Sequence, residues 1–157
     1  MDKYLSKASI QDKLLKYEEA LEAYDKVIEL NSQCADAYLG KWYILDELAR
    51  EEEALAIYSK ISHLKVTHKN TYIYEKSAYN LLESERYEEA IVAYDKAIEL
   101  KPDYAAAYNN KGIALGNLER YAEAIATYDK AIELKPDDVG AYHQKSVYLS
   151  LKNKKER

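Results

Sequence analysis

Few side chains in this sequence are of a type and spacing that could do chemistry. His63 and His68 lie five residues apart, the spacing of half a zinc site. No Cys pair precedes them, and two imidazoles leave a tetrahedral ion half coordinated. They read as part of a turn near a helix end. Cys34 is the only cysteine and has no histidine near it in sequence, so it reads as a packed or incidental thiol rather than a nucleophile. Asp and Glu are plentiful, but on repeated helices they read as a solvated face rather than as an acid–base pair. Gly112 and Gly116 share the GxxxG spacing of membrane helices, yet Asn109, Asn110 and Lys111 stand just before them. That polarity excludes a bilayer and leaves close packing of two helices as the reading. There is no phosphate loop, nucleophile elbow or dinucleotide fingerprint. The expectation is a chain with no catalytic residue, metal or cofactor, and hence not an enzyme.

The organising feature is a repeat. Tyr-Asp-Lys-Ala-Ile-Glu-Leu-Lys-Pro-Asp runs from Tyr94 to Asp103 and again from Tyr128 to Asp137, 34 positions apart. Placing Ala20, Ala54, Ala90 and Ala124 in one column divides the chain into repeats 1–34, 35–70, 71–104 and 105–138 and a half repeat 139–157. Four columns after the alanine stand Tyr24, Tyr58, Tyr94 and Tyr128, and sixteen before it stand Tyr4, Tyr38, Tyr74 and Tyr108, a column continued by Tyr142. In the second half of a repeat, Tyr87, Ala90, Ile91, Tyr94, Ala97 and Ile98 step by threes and fours, the apolar stripe of an amphipathic helix. Tyr108, Leu115 and Leu118 mark a second helix in the first half of the next. Lys101-Pro102-Asp103 and Lys135-Pro136-Asp137 close the hairpins, with Asp103 and Asp137 as candidate caps.

Each repeat is thus a helix, a turn and a helix, and the spacing predicts nine helices in an all-α array. The alanine column should face Ala8, Ala78 or Gly112, because only small residues let antiparallel backbones approach closely. Ala93 lies off this column, so leucine there is expected to cost less than leucine at Ala90 or Ala124. One hairpin cannot bury its own stripe, and stacked copies can.

Composition sets further bounds. Across 157 residues, 48% are hydrophobic and 32% charged, with four Gly and two Pro, a balance that favours soluble helix. No apolar run exceeds five residues, far short of the roughly 18 of a membrane helix. The N-terminal residues lack the apolar core of a secretory signal, and a single cysteine forms no internal disulfide. A cytoplasmic setting is therefore expected. The net charge of −5 offers little to nucleic acid or to an anionic membrane.

The array resembles the tetratricopeptide repeat family, whose 34-residue hairpins carry aromatics at positions 4, 17 and 24, small residues at 8, 20 and 27, and Pro at 32. Residues 105–138 match with Tyr108, Gly112, Tyr121, Ala124, Tyr128, Ala131 and Pro136. Departures fall in the second repeat, where Trp42 takes the small position, Glu51 replaces the aromatic at 17, and two extra residues lie near His68 to Asn70.

The resemblance implies a right-handed superhelical solenoid, a single array over residues 1–157. It also implies a groove that binds a peptide or helix of a protein partner, lined by positions 2, 5, 6, 9, 12 and 13 of the first helices. Those positions place Tyr43, Asp46, Glu47, Tyr72, Glu75, Tyr79, Glu83, Asn109, Asn110 and Asn117 in the groove, together with Gly40, Leu82 and Gly116. Over the first four repeats these positions hold seven acids against two bases. Of the pattern by which family members grip acidic chaperone tails, only Asn110 fits. A basic segment is the expected ligand. The alternative is a self-assembling module, because the half repeat leaves apolar surface uncovered; a monomer is favoured over a homodimer.

Overall fold

The structure, a computed structural model, describes residues 2–64 and 71–156. His68 and the extra residues near it lie outside that range. The described residues form nine helices: α1 (Asp2–Lys13), α2 (Tyr17–Leu30), α3 (Ala35–Glu47), α4 (Glu51–His63), α5 (Thr71–Glu83), α6 (Tyr87–Leu100), α7 (Ala105–Asn117), α8 (Tyr121–Leu134) and α9 (Val139–Lys155). No strand occurs among them.

The second helices start alike. Lys16, Arg50, Arg86 and Arg120 stand one residue ahead of α2, α4, α6 and α8, and each pairs with a glutamate three residues on. Those glutamates lie in the first turn, where the helix dipole favours negative charge. Such exposed pairs are screened by water and add little to stability. They fix where the helix begins more than how stable it is. At the other end, α6 and α8 stop at Lys101 and Lys135, each held out of the helical region by the proline that follows.

The expected aspartate caps are displaced by one residue. Tyr104, not Asp103, occupies the N-cap of α7 and makes no side-chain cap bond, whereas Asp138, not Asp137, caps α9 by accepting from the Ala141 N–H at 3.1 Å. The turn after proline takes one more residue than the Pro-Asp signal suggests.

The helices fall into two compact units, α1–α4 and α5–α9. In the first, α1 pairs with α2 and α3 with α4, while α2 and α1 both touch α3. In the second, α5 pairs with α6 and α7 with α8. There α6 packs on α7 and α8 on α9, and the first helices α5, α7 and α9 adjoin in order. Within each unit, consecutive hairpins stack as a helical repeat solenoid requires.

The small-residue column behaves as expected. Ala8, Ala20, Ala78, Ala90 and Ala124 are fully buried, and Tyr94 and Tyr128 are buried beside them. A Cβ on Gly112 would come within 2.7 Å of the Tyr128 ring, so glycine there makes room for a tyrosine as well as for a backbone. Trp42 is fully buried in α3 despite filling a small-residue position.

One expectation fails. Ala93 is 0% exposed, the same as Ala90 and Ala124. Helix α6 packs against α5 on one side and α7 on another, so its buried arc is wider than a single stripe and takes in the residue three positions on.

Candidate functional site

In the C-terminal unit the candidate residues lie on α5 and α7, two first helices that adjoin. Along α5, Tyr72, Glu75, Tyr79 and Glu83 step by threes and fours and so share a face. Tyr72 and Tyr79 are each 47% exposed, whereas the column tyrosines Tyr94 and Tyr128 are fully buried. Two tyrosines seven residues apart therefore meet solvent on one helix. The hydroxyl of Tyr104, at the start of α7, donates to the carboxylate of Glu75. Partial burial pushes that hydroxyl up to about 12, and the carboxylate beside it adds to the rise. Glu75 is thus held by Tyr104, and Glu83 is exposed.

The three asparagines of α7 are partly engaged. Asn109 donates its amide to Asp138 at 2.9 Å, tying α7 to the start of α9. Asn117 donates to its own helix, at the Ile113 carbonyl, at 3.0 Å. Asn110 lies beside Tyr94, whose hydroxyl is pushed far up by burial, a rise that Asn110 partly offsets. Sequence reasoning missed Tyr104 and Asp138 as supports of this face. Tyr104 follows the repeated Lys-Pro-Asp, yet its contact with Glu75 spans 29 residues and had no local signal.

In the N-terminal unit the candidates lie on α3. Tyr43 is half-buried with its ring edge-on to Trp42, centroids 5.4 Å apart and planes at 78°. Asp46 is half-buried, and Glu47 exposed. This is a smaller patch of the same character.

Three inward positions turn out to be packing positions. Leu82 is buried. A Cβ on Gly40 would come within 2.2 Å of the Tyr24 ring, and one on Gly116 within 2.1 Å of Tyr148. Glycine at these places admits a tyrosine from the neighbouring element, which the spacing alone does not reveal. Among the described residues no group of three or more His, Cys, Asp or Glu is placed to hold a metal ion, and no helix is long and apolar enough to cross a membrane.

Helical hairpins of this length, with alanine and tyrosine columns buried between them, match the sequence profile of the tetratricopeptide repeat over residues 5–62 and 76–139. The chain belongs to the tetratricopeptide repeat family. Members of this family are generally protein-interaction scaffolds rather than enzymes, and they bind protein or peptide partners. No curated protein matches the sequence. Solved structures do match in fold. A crystal structure of MamA protein is 22% identical, with 96% of this chain and 81% of that chain covered and a TM-score of 0.72. MamA from Desulfovibrio magneticus RS-1, from residue 41 to its end, is 18% identical over 97% of this chain and 85% of that one, with a TM-score of 0.68. These repeats share the MamA fold.

Proposed function

We propose that this tetratricopeptide repeat protein binds a basic, Lys- or Arg-containing segment of a partner protein on the first-helix face formed by α5 and α7. The observation that carries the reading is the pair Tyr72 and Tyr79, held in solvent on one face with Glu75 and Glu83 beside them. A cation lying over an aromatic ring gains roughly 0.5–2 kcal/mol, and carboxylates around it steer it in. Tyr43, Asp46 and Glu47 offer a second patch of the same chemistry, and Asn109, Asn110 and Asn117 border the first with amides. The chain acts in this reading as a cytoplasmic scaffold without catalysis, and its acidic balance disfavours nucleic acid and anionic membranes as ligands.

Fluorescence anisotropy with a labelled Lys/Arg-rich peptide tests this. Tyr79→Ala is expected to weaken binding at least fivefold while leaving the circular dichroism spectrum unchanged, and affinity should fall as salt rises. A peptide that binds equally well to Tyr79→Ala and at high salt, or a preference for an acidic peptide, overturns the reading. A second reading, self-association, is favoured by one observation: Tyr142 and Leu149 remain exposed on α9.

A further inference from the structure

Helix α5 carries one short pattern twice. Tyr72 is followed after three residues by Glu75, and Tyr79 after four by Glu83, so each tyrosine has a carboxylate about one turn away on its own side of the helix. At roughly 3.6 residues per turn the four positions fall within an arc of about 80°. Both tyrosines and Glu83 are exposed, while Glu75 is half-buried and held by the Tyr104 hydroxyl. The face thus offers two seats for a cation rather than one. With a rise of about 1.5 Å per residue, Tyr72 and Tyr79 stand about 10.5 Å apart along the helix axis. Half-buried Lys76 lies between them on the same side and separates the two seats.

That spacing selects the conformation of the occupant. In an α-helix, residues i and i+7 stand about 10.5 Å apart and nearly in line, so a helix laid along α5 repeats the distance between the seats. In an extended strand, residues on one face stand two or four positions apart, roughly 6.6 or 13 Å, and miss that distance by about 3 Å either way. A polyproline II segment comes nearer, because every third residue returns to one face after about 9.3 Å. Its backbone makes no hydrogen bonds of its own, however, and needs partners on the surface it docks against. Two amides of α7 already donate within the fold, Asn109 to Asp138 and Asn117 to the Ile113 carbonyl. A helix brings its backbone hydrogen bonds with it.

We infer that the occupant of this face is an α-helical segment with two Lys or Arg residues seven positions apart, one seated at Tyr72 and Glu75 and the other at Tyr79 and Glu83. This rests on the proposed binding of a basic segment and adds its conformation and register. The carboxylates supply the charge complementarity, and the helix supplies the spacing.

Fluorescence anisotropy with the full chain and three labelled peptides of equal charge separates the possibilities. The first peptide holds two lysines at i and i+7 in an alanine-rich helical host. The second holds them at i and i+5, on different sides of the same helix, and the third at i and i+3 in a polyproline host. The i, i+7 helix should bind about fivefold tighter than either of the others, and Tyr72→Ala and Tyr79→Ala should each remove that advantage with the helix content of the protein unchanged. Equal affinity for all three peptides, or tighter binding of the polyproline peptide, with binding still weakened by Tyr79→Ala, overturns the helical register and leaves the binding of basic segments standing. Binding of none of the three, or binding that ignores both tyrosine variants, overturns the proposed function and the helical register with it.

Discussion

Replacing Glu85 by glycine should stabilise this protein. Four residues at the same place in the repeat hold left-handed backbone angles although none is glycine: Leu15 at φ 57°, Ala49 at 52°, Glu85 at 58° and Glu119 at 55°. Each ends a first helix with the same two hydrogen bonds. At Glu85, its own N–H donates to the Leu82 carbonyl at 3.1 Å and the next N–H, of Arg86, to Leu81 at 2.9 Å, a Schellman closure that glycine favours. The left-handed region costs an ordinary residue roughly 1–2 kcal/mol. Glycine removes that cost but loses roughly 0.5–1 kcal/mol of chain entropy on folding, so the expected net gain is about 0.5–1 kcal/mol. Glu85 is exposed, so little else is lost with its side chain. Glu119 is the poorer choice, because its carboxylate accepts from Lys155 at 2.7 Å. Urea unfolding reads the effect as a higher midpoint at unchanged slope. Ala49→Gly lies in a separate hairpin, and its gain should add to that of Glu85→Gly. Ala126→Gly, exposed inside α8, is the control and should cost about 1 kcal/mol, as glycine does within a helix. A lower midpoint for Glu85→Gly would refute the reasoning.

Leucine at Ala124, fully buried against α7, is expected to cost about 1–3 kcal/mol by overpacking, and leucine at exposed Ala126 close to nothing; urea midpoints check both. Alkali should unfold the chain through its tyrosines. The Tyr104 hydroxyl is raised to about 12, above the ordinary value near 10, so the stability it contributes is complete below pH 10 and is lost as pH rises from 10 through 12. Tyr94 and Tyr128 are raised by burial in the same direction. Tyrosinate absorbance should therefore lag behind that of free tyrosine until unfolding, and Tyr104→Phe should flatten the loss of stability between pH 10 and 12.

The helices and their pairing were legible because they rest on columns of one residue type at one period, and a period survives any single departure. Trp42 shows the limit. A tryptophan in a small-residue column looks like a defect in sequence, yet the fold buries it fully. What the sequence hid was set by geometry with no residue signature. Leu15, Ala49, Glu85 and Glu119 share nothing that announces a left-handed turn, since glycine is the usual mark. Ala93 looked peripheral because a stripe was counted for one neighbouring helix, whereas α6 has two. On the candidate face, the exposure of Tyr72 and Tyr79 followed from their falling outside the packing columns. The bond from Tyr104 to Glu75 did not, because it joins residues 29 positions apart, at opposite ends of one repeat.

One inter-repeat contact has a signature in the sequence. Asp25 pairs with Lys41, Asp95 with Lys111 and Asp129 with Lys145, each joining a second helix to the first helix that follows, sixteen residues on. Both columns are visible in the sequence. At the remaining junction the column residues are Ser59 and Ser77, and both partners of the pair have changed together. That is the change electrostatics permits. A lysine in this column is only 19–30% exposed in the three pairs, so removing its aspartate alone would strand a half-buried charge. Ser77 is itself buried, with no hydrogen-bond partner for its hydroxyl among the described residues, where a lysine would need both room and a counter-charge. Within each unit these Asp and Lys columns tie one hairpin to the next.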